Sequence, residues 1–252
     1  GTFPFGAFLF ARFISIGVNP ILSTLLAFVF GTMAGLLTTT LFTKLKIRPL
    51  LAGILTMTIL YSVNLKINGK SNIPLFSYRS IYDSGSTLLI LLIIVLVVKI
   101  LLDLFLKTET GYLLIATGDN EALVKSLGEN STKYKLIGLM IANGLVALSG
   151  ALMAQYQGFV DITMGASIIV VALASIIIGD TIKKKSTWLK NTTRAIIGAI
   201  IYKIIGGIAI DLGLNPNDLR AINAIIVIVF IAYNNAASNL FRFKAKGGVK
   251  NA

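Results

Sequence analysis

Long apolar runs alternate with short polar intervals along the whole chain. Ile21 to Phe42, Leu88 to Leu106, Leu136 to Met153 or Tyr156, Ala195 to Leu212 and Leu219 to Tyr233 are the clearest runs. All but Leu219 to Tyr233, which has 15 residues, approach or exceed the roughly 20 that a helix needs to cross hydrocarbon. They are rich in Leu, Ile and Ala and lack the alternation of a barrel strand, so they read as helices, which satisfy their own backbone in lipid. Three runs are shorter. Phe5 to Ile16, interrupted by Arg12 and Ser15, reads as the remainder of a helix or as a tilted, partly buried segment. Leu50 to Asn64, opened by Pro49, reads as a tilted span or as one half of a broken helix. Ala166 to Gly179 reads as a compressed helix or half of a re-entrant pair. The pattern therefore predicts an all-α polytopic membrane protein, a bundle with short or broken helices.

The intervals between runs punctuate the chain. Gly17-Val18-Asn19-Pro20 is a turn, with Pro20 placed to open the next helix. Gly31 and Gly35, four apart, permit a close helix contact. Gly69 to Ser84, with Tyr78 and Tyr82, and Gln157 to Gly165 read as external loops. Lys66, Lys70 and Arg79 also fall on that side. Lys99 and Asp103 lie one turn apart and can pair. Lys203 sits in the middle of an apolar run, where it must snorkel, face water or find a carboxylate. Leu214 to Asp218 is a return turn.

One polar interval stands apart. Residues 116–130 are too polar to cross a bilayer and carry the marks of a short capped helix. Asp119 or Asn120 can accept from the first free amides. Glu121 suits the positive end and Lys125 the negative end of the helix dipole. Gly128 can take the left-handed conformation that ends it. Ala122, Leu123 and Leu127 make a small apolar patch, with Leu123 and Leu127 on one face. Such a helix reads either as a display for a soluble partner or as a connector resting on the membrane.

Charge orients these elements. The chain carries 23 Lys and Arg against 10 Asp and Glu, a net charge of +13. The basic residues cluster at Lys44 to Arg48, Lys107 to Lys135, Lys183 to Arg194 and Arg242 to Lys250, alternate intervals that all fall on one side. Cytoplasmic flanks carry such clusters, so their placement points to a membrane rather than to nucleic acid. Hydrophobic residues make up 56% of the chain and charged residues only 13%, with a mean hydropathy of +0.86, far from a soluble domain. The chain has no Cys and no His, which removes disulfides, thiolate or imidazole metal sites and a histidine base. No clustered carboxylate or nucleophile arrangement supports a catalytic site, so none is assigned, and no metal site either.

Ordered blocks carry a family resemblance. They begin with Phe3-Pro4-Phe5-Gly6-Ala7, Gly17-Val18-Asn19-Pro20, Gly35-Leu36-Leu37-Thr38 and Leu50 to Thr58, followed by Tyr61-Ser62-Val63-Asn64-Leu65. They continue with Ala116-Thr117-Gly118-Asp119-Asn120, Ser126-Leu127-Gly128, Gln157-Gly158-Phe159, Leu173 to Gly179 and Gly213 to Leu219. As a set they resemble the membrane permease subunits of ATP-binding-cassette importers, in the branch serving branched-chain amino acids, sugars and related solutes, and most closely the tryptophan/tyrosine-type permeases. The resemblance implies one permease domain over 1–252 that lacks the family's first helix, with a cytoplasmic loop over 107–135. Residues 118–128 would be the coupling helix, with Gly118, Asp119, Asn120, Glu121, Leu123, Lys125, Leu127 and Gly128 at the contact with a separate ATPase. ATP and Mg would be held by that ATPase, and this chain would need no cofactor. A second, identical permease and an extracytoplasmic substrate-binding lipoprotein would complete the assembly in a bacterial cytoplasmic membrane, with the C-terminus cytoplasmic. Thr56, Thr58, Asn64 and Asn143 are candidates for the solute path, and Asn143 reads alternatively as one side of a helix-helix hydrogen bond. The rival readings are an ion-coupled secondary transporter, with Arg12, Lys99, Asp103 and Lys203 as its candidate charges, and a noncatalytic membrane scaffold. Glu129, where the family more usually has a hydrophobic residue, and Lys183-Lys184-Lys185 depart from the pattern.

Overall fold

The computed structural model describes residues 1–166, 168–182, 190–211, 225 and 228. Lys183 to Lys185, the turn Leu214 to Asp218, the run Leu219 to Tyr233 apart from Ile225 and Ile228, and the basic tail from Arg242 lie outside the described residues. The chain divides into two compact units, Gly1–Gly165 and the part from Ala166 onward.

Unit 1 runs α1 (Thr2–Ser15), α2 (Pro20–Thr43), α3 (Pro49–Asn68), β1 (Asn72–Pro74), a 3₁₀ turn (Ile81–Ser84), α4 (Thr87–Phe105), α5 (Glu109–Asp119), α6 (Glu121–Ser126), α7 (Ser131–Gln157) and β2 (Phe159–Asp161). Unit 2 contains α8 (Ile168–Ile182) and α9 (Asn191–Asp211), which pack on each other. Among the described helices, α2, α3, α4, α7 and α9 are long and apolar enough to cross a membrane.

The short first run becomes the centre of unit 1. Helix α1 is apolar around its first three turns, the mark of a helix with neighbours on every side, and α2, α3 and α7 surround it. Phe8 and Phe10 are fully buried there. Pro20 does open α2, with the Asn19 side chain accepting from the Ile21 amide, and Gly17 in the loop before it has φ +86°. Helix α3 is continuous, so Pro49 begins one unbroken span that runs on through Lys66 to Asn68, past the end that its apolar run suggested.

Small residues set the spacing in unit 1. A Cβ on Gly35 would strike the Leu139 carbonyl of α7, and one on Gly31 would strike Ala147. The predicted close contact of this pair is therefore with α7, and lipid offers no hydrophobic drive to replace such packing. Further along α7, a Cβ on Gly150 would collide with the Phe3 carbonyl of α1. Side-chain hydrogen bonds then tie the helices together. Thr38 donates to Thr56 (3.0 Å), Asn68 to the Phe8 carbonyl (3.0 Å) and Gln155 to Thr24 (2.9 Å).

Two strands that the sequence pattern did not announce join the two loops that it assigned to the external side. β1 and β2 pair antiparallel with Ile73 opposite Val160, and Val160 and Leu75 are buried. The Ile81 amide donates to Gln155 of α7 (3.1 Å), and the Tyr82 hydroxyl to the Leu152 carbonyl (3.1 Å). The C-terminal ends of α3 and α7 therefore lie on the same side, as the charge alternation requires. At the other end of α4, Lys99 and Asp103 form the anticipated ion pair at 2.9 Å.

Candidate functional site

The polar interval folds as a helix-turn-helix extension of the bundle. Thr108 caps α5 by accepting from the Gly111 amide (3.2 Å), and α5 then runs for three turns through the start of the interval 107–135, where the sequence pattern predicts no helix before residue 116. Asn120 ends α5 and begins α6, its side chain accepting from the Leu123 amide at 3.2 Å. Of the two proposed caps, Asn120 is thus the one used. Gly118, still inside α5, has no neighbour within 4 Å of where a Cβ would stand, and Asp119 is the last residue of α5. After the six residues of α6 the chain reverses at Leu127 and Gly128, and the φ of +80° at Gly128 is one that glycine adopts without strain. The Asn130 side chain then caps α7 through the Thr132 amide (3.0 Å).

Helix α6 has one held face and one free face. Val124 is completely buried, whereas Leu123 and Leu127 are 51% and 65% exposed. Ala122 and Lys125 are exposed as well. Glu121 does the holding. Its carboxylate accepts from Lys135 at 2.5 Å, Lys125 at 2.9 Å and Ser131 at 2.9 Å. These three donors, Lys135 foremost, then Lys125 and Ser131, pull its pKa down to about 2. Lys135 also lies over the Phe42 ring near the end of α2, 5.2 Å from the centroid. One carboxylate thereby ties α6 to α7, and through Lys135 to α2. Beside it the Tyr134 hydroxyl donates to Glu129 at 2.6 Å, which gives that acidic departure a local partner.

Sequence reading placed Glu121 in its dipole role and missed its partners. Lys135, Ser131 and Phe42 are 14, 10 and 79 positions away. The reversal at Gly128 was the only local signal that α6 folds back toward the start of α7.

The four path candidates are not gathered at one place. Thr56 is buried, donates to the Ala52 carbonyl (2.9 Å) and meets Thr38. Thr58 is exposed and donates to the Ile54 carbonyl (3.0 Å). Asn64 is buried on the stripe that also contains Ala52, Thr56 and Leu60, and its Oδ1 has no hydrogen-bond partner among the described residues. Asn143 accepts from the Thr2 hydroxyl (2.7 Å) and donates to the Leu139 carbonyl (2.9 Å), a bond between α1 and α7. Among the described residues no group of three or more potential ligands could hold a metal.

Comparison with known proteins now adds to this geometry. Residues 1–232 match the family described as branched-chain amino acid transport system, permease component. A tyrosine transport system permease protein of Clostridioides difficile (strain R20291) is 47% identical over 247 residues, which cover 98% of this chain and 84% of that one. An uncharacterised protein of Rickettsia prowazekii (strain Madrid E) is 34% identical over 239 residues, covering 92% of this chain and 85% of the relative. No solved structure matches. With its membrane-length helices and a match over nearly the whole sequence, the chain belongs to the branched-chain amino acid transport permease family, non-catalytic membrane subunits of the ATP-binding-cassette type.

Proposed function

We propose that this chain is the translocation subunit of an ATP-driven importer whose cargo is an aromatic amino acid of the tyrosine or tryptophan kind. In this reading residues 118–128 are the coupling helix, docked on a cytoplasmic ATPase that holds ATP and Mg. The observation that carries it is the two-sidedness of α6. Val124 and Glu121 fasten one face to the bundle, while Leu123 on this six-residue helix and Leu127 just after it are exposed. A passive connector gains nothing from presenting two leucines there, whereas a docking helix needs an apolar anchor.

The ATPase pair would close on ATP and move α6, and α6 would pass that movement to α7 and α2 through Glu121 and Lys135. A second, identical permease forms the other half of the path, and a substrate-binding lipoprotein delivers solute to the outer mouth. The basic side is then cytoplasmic, as is the C-terminus, in a bacterial cytoplasmic membrane. The name of the Clostridioides difficile relative supports tyrosine as the first cargo to try. Thr56, Thr58, Asn64 and Asn143 remain path candidates, with the exposed Thr58 and the unpartnered Oδ1 of Asn64 best able to meet a solute.

Proteoliposomes holding this permease with its ATPase and binding protein test the cargo. Uptake of tyrosine or tryptophan that requires ATP, in preference to leucine, is the expected result. ATP-independent uptake would replace this reading with the secondary transporter, and absence of any flux would replace it with the scaffold.

A further inference from the structure

Lys203 occupies a position in α9 that a lipid-facing helix rarely gives to a charge. It lies two residues past the midpoint of Asn191–Asp211. At 1.5 Å per residue that is about 12 Å of helix from Asp211 and about 18 Å from Asn191. Lysine in a span survives by snorkelling, by pairing or by facing water. Snorkelling is poorly served here. Helical side chains lean toward the N-terminus of their helix, which for Lys203 is the more distant end, and the stem has only four carbons. Pairing is not seen either. Lys203 is exposed on the side of α9 away from Gly198 and Tyr202, which pack on α8, and among the described residues it has no ion pair. Asp180, on α8, is paired with Arg194 at 3.4 Å.

Its neighbours on the helix surface are small. Ala199, Gly206 and Gly207 stand at i−4, i+3 and i+4. Gly198 has an evident packing role, because a Cβ there would strike the Ser175 carbonyl. Gly206 and Gly207 have no described atom within 4 Å of such a Cβ. Two glycines in a helix interior weaken it, and here no contact with a described residue requires them. What they do leave is a recess beside an ammonium group.

We propose that this face of α9 lines the aqueous solute path and that Lys203 binds the carboxylate of the transported solute. The second half rests on the import reading above. An ammonium in a narrow, poorly hydrated path makes a strong charge-assisted hydrogen bond to a carboxylate, so the site selects amino acids over the corresponding amines.

The natural absence of cysteine makes Lys203→Cys a single-thiol protein without further engineering. In membranes the full chain is treated with the ethylammonium or the ethylsulfonate methanethiosulfonate reagent, which modify a thiolate where water reaches it. Leu92→Cys, on the exposed surface of α4, is the lipid-facing control. Lys203→Cys is expected to react at least tenfold faster than Leu92→Cys. In the complete transporter it raises the KM for tyrosine at least tenfold. The ethylammonium adduct, which restores the charge, recovers most of that loss, and the sulfonate adduct does not. Wild type is expected to take up tyrosine but not tyramine. Labelling as slow as at Leu92→Cys overturns the aqueous path whether or not transport is seen. Fast labelling with an unchanged KM, or equal uptake of tyramine, overturns the carboxylate contact. Wild type without ATP-driven uptake sinks the import reading and the carboxylate contact with it, while the labelling rate still decides the path.

Discussion

Helices α1 and α6 are both short and flanked by turns, yet they are held in opposite ways. α1 is enclosed by α2, α3 and α7, and its contacts are apolar rings, small residues and a few buried hydrogen bonds. α6 stands at the rim with one buried side chain, Val124, and a carboxylate shared by three donors. Packing at native density gives a helix one position, because any added volume meets a neighbour's backbone. Caps and ion pairs hold a helix while leaving its other face free, and they can be exchanged when a partner moves it. The difference teaches that the bundle separates what must stay fixed from what must be displayed.

The largest effect should come from filling the tight side of that contrast. Gly150→Leu sets a side chain against the Phe3 carbonyl and is expected to cost about 3 kcal/mol or more. Thermal unfolding and gel filtration in detergent would show aggregated or unfolded protein. A monodisperse variant with wild-type melting would break the claim that α1 is fixed by close approach.

Changing the displayed side should leave the fold alone. Leu123→Asp alters an exposed residue, so stability should shift by no more than about 0.5 kcal/mol while ATP-driven uptake falls at least tenfold. The charge tie should behave as an exchangeable pair. Glu121→Lys is expected to lower uptake several-fold and Glu121→Lys with Lys135→Glu to recover part of it, because the reversed pair can form at the same place. A double variant no better than the single would mean that the tie does not connect α6 to α7.

Acid gives the same tie a signature. The Glu121 pKa is lowered from 4.5 to about 2 by Lys135, Lys125 and Ser131. A depressed carboxylate supports the folded state in full above its unfolded value and loses that support as pH falls toward the folded one. Amide-exchange protection of α6 is therefore expected to hold from pH 7 to 5 and to weaken between about 4.5 and 2. Weakening already near neutral pH would contradict it. The smallest contrast lies on α3. Thr56→Val breaks the bond to Thr38 and should cost about 1 kcal/mol, whereas Thr58→Val on the exposed face should stay within about 0.5 kcal/mol.

Much of this was legible beforehand because membrane helices announce themselves by length. Proline at 20 and 49 began helices where it should, and the Lys99–Asp103 pair followed from helical spacing alone. The caps of α6 were readable too, since Asn120 and Gly128 act within their own turn. What failed to show was tertiary. β1 and β2 are three residues each and pair across 87 positions, from Asn72–Pro74 to Phe159–Asp161, so neither carries a pattern of its own. α5 was hidden because its apolar residues, Tyr112 to Ala116, make a run far too short to announce a span and merge into the polar interval that follows. A helix-helix hydrogen bond was readable for Asn143, but its partner Thr2 was not, because only the packing of α1 on α7 brings the two together.

The central claim is that α6 is the surface by which this permease engages its ATPase. The most direct measurement is the affinity of the isolated ATPase subunit for the permease in nanodiscs, wild type against Leu123→Asp and Leu127→Asp. The account predicts at least a tenfold weaker Kd for each variant with unchanged permease melting. Wild-type affinity in both would contradict it and leave α6 as a connector on the membrane.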